Sequence, residues 1–269
     1  MTPMERLWAR SGLSTRDLVQ RLEALDAGQT EALRMLSVFD NDLDRLPDEL
    51  AALKHLETLI ANHNRIASAV AVGGLTNLTR LYLASNELVQ LPDQLSALSR
   101  LERLDVSRNR LAALPDMSSL ERLERFDCHG NELRELPALP KSIRILGCFS
   151  NALKNVDPVM ACPVLAKLNC AFNGLSLLPE KLPGSLVYIK ADGNRILRVD
   201  LSGLPLLEKL ELADNGLRLL TGLDEKSNSL LRVLHLAGNA LPIAKLNCNA
   251  DSDVECAQLV KLLSLAAVM

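Results

Sequence analysis

Leu101-Glu102-Arg103-Leu104-Asp105-Val106-Ser107-Arg108-Asn109-Arg110-Leu111 decides how the rest of the chain is read. It has the form L-x-x-L-x-V-x-x-N-x-L. Leu104 and Val106 alternate with Asp105 and Ser107, the pattern of a short strand with one apolar and one polar face. The form returns with its asparagine at Asn41, Asn64, Asn86, Asn109, Asn131, Asn151, Asn173, Asn194, Asn215 and Asn239. Successive asparagines are 20 to 24 residues apart, so ten repeats run in register. Such a period marks a unit that cannot bury its own apolar face and stacks on copies of itself.

At these residues the chain resembles the leucine-rich-repeat (LRR) family, over roughly Leu33 to Leu241. The resemblance implies an α/β solenoid, curved, of about ten repeats, with a parallel β-sheet on its concave face. It also implies that the ten asparagines form a ladder, each amide bonding main-chain groups that the turn after the strand leaves unpaired. The far sides predict short helical or extended segments. Leu46-Pro47-Asp48-Glu49-Leu50, Leu91-Pro92-Asp93-Gln94-Leu95 and Leu114-Pro115-Asp116 place proline at the first position of a helical turn, where its missing N–H costs nothing. Leu136-Pro137-Ala138-Leu139-Pro140 and Leu178-Pro179 to Leu182-Pro183 resemble the compact repeats of bacterial effector LRR proteins. Leu75 to Asn86 and Leu204 to Asn215 resemble the 22-residue intracellular type, so the repeat types are mixed.

Both ends read as helical caps. Residues 1–32 precede the first repeat. Ser14-Thr15-Arg16-Asp17 is a capping box, Leu18, Leu22 and Leu25 share a helical face, and Gly28 reads as the stop. Met4, Leu7 and Trp8 either pack on that helix or anchor a partner. Arg6, Arg10, Arg16 and Arg21 fit a targeting peptide, the alternative reading; Glu5, Asp17, Glu23 and Asp26 oppose it, because such presequences are acid-poor. Residues 33–250 form the solenoid. Residues 251–269 carry a second capping box at Ser252 and Glu255, and Val254, Leu259, Leu262, Leu263 and Leu265 cover the last turn. That leaves room for no further domain.

A net charge of −3 gives no argument for nucleic acid or an anionic membrane, and no apolar run reaches the roughly 18 residues of a membrane span. Cys128, Cys148 and Cys170 replace leucine or valine at the sixth template position of consecutive repeats and read as core residues. Three stacked thiols with no C-x-x-C pair make a poor zinc site. Cys248 and Cys256 are expected as reduced thiols, in an intracellular and cytoplasmic protein. His55, His63, His129 and His235 lie in no nucleophile or metal motif. Neither an enzyme nor a cofactor is expected.

The concave face is the expected binding surface. Five of the seven aromatic residues, Phe39, Tyr82, Phe149, Phe172 and Tyr188, occupy its variable positions. Aromatics there bury large area at low entropic cost. At the third template position, Arg80, Arg103 and Arg125 stand on consecutive strands about 4.8 Å apart. Either Asp105, Asp127, Glu102 and Glu124 screen them, or an acidic peptide or loop lies across them. The expected function is therefore recognition of another protein by a non-catalytic adaptor, substrate-selecting subunit or scaffold. A structural subunit docked through its caps or convex side is one alternative. The recognition part of an effector or ubiquitin-ligase system, with chemistry supplied by another protein, is the other. Oligomeric state is left open.

Overall fold

A computed structural model describes residues 4–223 and 228–241. The expected C-terminal cap, with Cys248 and Cys256, lies outside the described residues. The chain divides into two compact units, Met1–Ile143 and Arg144–Met269.

The first unit contains β1 (Met4–Leu7), α1 (Thr15–Glu23), α2 (Ala27–Ala32), β2 (Leu33–Ser37), β3 (Thr58–Ile60), β4 (Arg80–Tyr82), β5 (Arg103–Asp105) and β6 (Arg125–Asp127). Its strands pair in chain order, every pair parallel. In the second unit β7 (Ile145–Gly147), β8 (Lys167–Asn169), β9 (Tyr188–Lys190), β11 (Lys209–Glu211) and β13 (Val233–His235) pair the same way. Between them in the chain, β10 (Arg198–Asp200) and β12 (Leu219–Thr221) form a separate parallel pair. Each repeat therefore places its strand one step along the sheet, the parallel-strand solenoid that the period implies.

The template explains the burial. Leu101, Leu104, Val106 and Leu111 are at most 1% exposed, and the matching positions of the other repeats fill the same layers. Burying one such side chain contributes roughly 1.5–3 kcal/mol. Phe126, at the fourth position, is fully buried. After each strand the eighth template position turns left-handed in all ten repeats: Asp40, His63, Ser85, Arg108, Ser150, Phe172 and Asp214 adopt positive φ, as do Gly130, Gly193 and Gly238.

That turn brings the asparagine inward. The Asn109 Nδ2 donates to Leu83 O at 2.9 Å and Val106 O at 3.0 Å, and its Oδ1 accepts from Leu88 N at 3.0 Å. One amide thus bonds the sixth-position carbonyls of two adjacent repeats and an N–H of the earlier one. The same three bonds recur at Asn64, Asn86 and Asn131. In the second unit they recur at Asn173, Asn194, Asn215 and Asn239. Asn151 donates to Cys148 O at 3.1 Å. At the N-terminal end Asn41 accepts from Ser11 N and Leu13 N, both at 3.0 Å, and donates to Trp8 O at 2.7 Å.

Local departures from the sequence reading have physical causes. Ser14 caps α1 and exchanges bonds with Asp17 as expected, and Leu18 and Leu22 are buried. Gly28 is not a stop: α1 ends at Glu23, and Asp26 caps a second helix, exchanging bonds with Gln29, with Gly28 inside it. Two consecutive caps outweigh one glycine's low propensity. Residues 4–7, expected as part of a cap, add strand β1 beside β2. Pro47 and Pro92 sit one residue before their 3-10 turns, Asp48–Ala52 and Asp93–Ala97, in extended backbone. Leu114-Pro115-Asp116 forms no helical turn; Asp116 instead accepts from Ser118 N at 2.8 Å, which closes a tighter bend.

Candidate functional site

The first unit presents two neighbouring columns on the solvent face of its strands. Arg80, Arg103 and Arg125 are direct register partners on β4, β5 and β6, and Tyr82, Asp105 and Asp127 are the partners one column over. The aspartates expected to screen the arginines act unequally. Arg125 Nε binds Asp127 Oδ2 at 2.7 Å, a hydrogen bond that holds the guanidinium pKa above its usual value. Asp105 turns to its own strand end, accepting from Ser107 Oγ at 2.6 Å and Ser107 N at 3.0 Å. Arg80 and Arg103 are exposed and make no ion pair among the described residues. Tyr82, Arg103, Asp105, Arg125 and Asp127 line a shallow depression of about 150 Å³.

Phe39 lies at the rim of the same unit rather than over the arginines. The Arg10 guanidinium is 5.6 Å from its ring centre, and His63 meets it edge-on at 5.2 Å. Arg10 also pairs with Asp40 at 3.3 Å. Trp8 is half-buried with Arg21 5.4 Å over its ring, so the indole packs against α1.

In the second unit Phe149 is half-buried, whereas Phe172 is 57% exposed at a left-handed corner. Phe172 does not tuck into the rim of the core. Its corner position turns the ring outward instead, over Gly193, where a Cβ would come within 2.5 Å of Cδ1.

Tyr188 belongs to a cluster that the sequence reading missed. Its centre is Glu211, 4% exposed. The Glu211 carboxylate accepts from Lys190 Nζ, from Lys209 Nζ at 2.5 Å and from Tyr188 OH at 3.1 Å, and His235 Nδ1 lies 3.8 Å away. Lys190 also binds Asp192 at 2.7 Å, and Lys209 sits 5.4 Å from the Tyr188 ring centre. Burial by itself would raise the Glu211 pKa; the bonds from Lys190 and Lys209 outweigh it and hold the group at about 2. Burial and the Glu211 charge push Tyr188 up to about 12. Lys190 is raised against its own burial by its bonds to Asp192 and Glu211. The signal lay in the fifth template column, where Lys190, Glu211 and His235 follow one another beside Tyr188 and Lys209.

The sixth-position cysteines point inward. Cys128, Cys148 and Cys170 are buried thiols, as is Cys162. Burial raises the Cys128 pKa and pushes Cys170 up to about 12 and Cys162 to about 11, which keeps thiolate chemistry out of reach at neutral pH. Among the described residues no group of histidine, cysteine and acidic side chains is placed to hold a metal ion, and no helix is long and apolar enough to cross a membrane.

Comparison with known proteins agrees with this geometry. A family profile described as leucine rich repeat matches residues 68–111. The chain has the fold of a leucine-rich-repeat solenoid. An LRR protein of Leptospira interrogans superposes with a TM-score of 0.74 at 24% identity, covering 90% of this chain and 67% of its own. The functional domain of InlJ from Listeria monocytogenes, which includes a cysteine ladder, gives 0.63 at 20% identity, covering 88% of this chain and 59% of its own. The plant peptide hormone receptor RGFR1, in complex with RGF2, gives 0.61 at 24% identity, covering 80% and 41%. The chain thus spans about two thirds or less of these neighbours' lengths. No curated protein matches it by sequence. LRR solenoids are typically protein–protein interaction modules and are generally non-catalytic.

Proposed function

We propose that this LRR chain holds an acidic segment of another protein against the solvent face of its strands, with Arg80 and Arg103 as the primary contacts and Tyr82 beside them. Arg125 takes part as a neutralised neighbour. The observation that carries this reading is the unequal treatment of three in-register arginines: Arg125 has its carboxylate, while Arg80 and Arg103 have none among the described residues. Adjacent like charges repel, and planar guanidinium forks take carboxylates in bidentate fashion. A partner that supplies two carboxylates relieves the repulsion and gains both pairs.

In the second unit, taken by itself, the variable template positions hold Phe149, Phe172 and Tyr188, and there the Glu211 cluster fixes Tyr188. Aromatic anchors whose rings are already held lose little entropy on binding. The roles that fit are those of an adaptor, a substrate-selecting subunit or a scaffold in the cytoplasm. The neighbour RGFR1, which is in complex with RGF2, is consistent with a repeat domain devoted to recognising a polypeptide.

The test is a pulldown from native lysate with the wild type, an Arg80→Glu/Arg103→Glu variant and a Trp8→Ala variant, each first shown to keep wild-type thermal stability. The expected result is a partner retained by wild type and Trp8→Ala and lost by the charge-reversed bait. A partner lost only by Trp8→Ala would overturn the reading in favour of docking through the N-terminal end.

A further inference from the structure

The second unit carries a sheet edge at β10 that no other strand pairs with among the described residues. In the β10–β12 pair, Arg198, Val199 and Asp200 face Leu219, Leu220 and Thr221. Leu219 N–H donates to Leu197 O, and Leu201 N–H to Thr221 O. A parallel strand bonds one neighbour through the main-chain groups of alternate residues. Leu197, Val199 and Leu201 therefore serve β12, and the N–H and C=O groups of Arg198 and Asp200 point to the opposite edge.

The segment on that edge is Leu177-Leu178-Pro179-Glu180-Lys181-Leu182-Pro183. It is tied down just before, where Leu197 N–H donates to Ser176 O at 3.3 Å, and just after it Gly184 runs close beside Gly203 O. Between those points seven residues run beside five, and Pro179 and Pro183 have no N–H to donate. Among the described residues the segment makes no main-chain hydrogen bond to Arg198 or Asp200. What separates them is an open-sided cavity of about 410 Å³ whose lining includes Leu177, Glu180, Lys181, Arg198, Asp200 and Leu219. Leu177 and Leu219 are 43% and 53% exposed. Arg198 is exposed and makes no ion pair among the described residues, whereas Asp200 already accepts from Ser202 N at 3.0 Å.

We propose that this cavity takes an extended segment of a partner protein as a third strand beside β10, with an acidic side chain next to Arg198. Unused main-chain donors and acceptors at a strand edge select an extended backbone, not a helix. Arg198 and Asp200 share the outward face, with Val199 buried between them, so the added strand presents its own alternate residues beside them. Glu180 and Lys181 on the facing segment carry opposite charges that offset each other, and with Asp200 already bonded, Arg198 is the charge that selects on β10. Leu177 and Leu219 receive a flanking apolar side chain. This is a second surface, separate in residues from Arg80 and Arg103.

The probe is a phage-displayed random dodecapeptide library selected on the full chain, with selected peptides then measured by fluorescence polarisation. Arg198→Pro removes the N–H that faces the cavity together with the guanidinium, and Arg198→Glu keeps that N–H but reverses the charge; thermal melts check that each variant folds. Acid-containing peptides are expected to lose about tenfold in affinity on Arg198→Pro, on Arg198→Glu and on N-methylation of their own backbone, the order of one or two lost hydrogen bonds. The same peptides are expected to bind Arg80→Glu/Arg103→Glu unchanged. Selected peptides that ignore both Arg198 variants, or a library that yields none, would overturn the proposal. So would a dimer of this chain that dissociates in folded Arg198→Pro, because the edge would then serve a second copy.

Discussion

The Tyr188 hydroxyl donates to the Glu211 carboxylate at 3.1 Å across the neighbouring strands β9 and β11. With Lys190 and Lys209 on the same carboxylate, this bond makes folding depend on the Glu211 charge. A carboxylate held below its unfolded pKa stabilises the fold fully above the unfolded value and loses that contribution as pH falls through the folded one. For Glu211 the window runs from 4.5 down to about 2, and the depression corresponds to about 3 kcal/mol. Tyr188, raised from 10 to about 12, has the opposite sign. Its contribution is whole below the unfolded value and lost as pH rises through the folded one. Urea unfolding of wild type and Glu211→Gln should therefore differ most between about pH 5 and pH 9 and converge towards pH 2. A constant gap down to pH 2 would show that the charge on Glu211 carries none of the stability.

Asn109 supplies a second stability expectation. Its amide makes three bonds to buried main-chain groups of two repeats. Asn109→Ala leaves those groups unsatisfied and is expected to cost about 1–3 kcal/mol, read from the denaturant midpoint. Asn131→Ala removes the same three bonds at the next repeat and should cost a similar amount. Unchanged midpoints in both variants would mean that water replaces the ladder without penalty.

Arg80 and Arg103 make binding salt-sensitive in a specific way. Exposed charges steer encounter, so the partner's on-rate should fall with added salt while its off-rate changes little. Surface plasmon resonance against the partner captured in the pulldown reads both rates. Arg80→Ala/Arg103→Ala should flatten the salt dependence, whereas Arg125→Ala, whose charge Asp127 already neutralises, should leave most of it. A salt-independent on-rate in the wild type contradicts an acidic partner on this column.

Leu104 and Val106 show why so much of the fold was legible in the sequence: an apolar alternation locked to an asparagine every 20 to 24 residues has one stacked solution. The missed features share a cause as well. Lys190, Glu211 and His235 each read alone as a solvated strand charge, and only the register of three repeats converts them into one buried carboxylate with its donors. Arg198-Val199-Asp200 and Met4-Glu5-Arg6-Leu7 are too short for their alternation to differ from loop composition, so β10 and β1 emerge only when a neighbour is present to pair with. Conversely, the three-arginine column was visible as spacing, but which acid neutralises which arginine depends on rotamers. Asp105 prefers Ser107, and no pattern of charges in the sequence encodes that choice.

Phe172 and Gly193 offer a test of how the exposed rim of the second unit is held. The Phe172 ring lies where a Cβ on Gly193 would sit, 2.5 Å from its Cδ1, and Gly193 has φ +62. Gly193→Ala therefore carries two costs: about 1–2 kcal/mol for the left-handed backbone, and the displacement of the ring. In a Phe172→Ala background only the first remains. A double-mutant cycle on urea midpoints should show Gly193→Ala costing about 1 kcal/mol less in that background. The same displacement should weaken any partner that uses Phe172, even though residue 193 itself touches nothing in the partner. Equal costs in the two backgrounds would place the ring off Gly193 in solution, and Phe172 would then enter the interface as a side chain that must be ordered on binding.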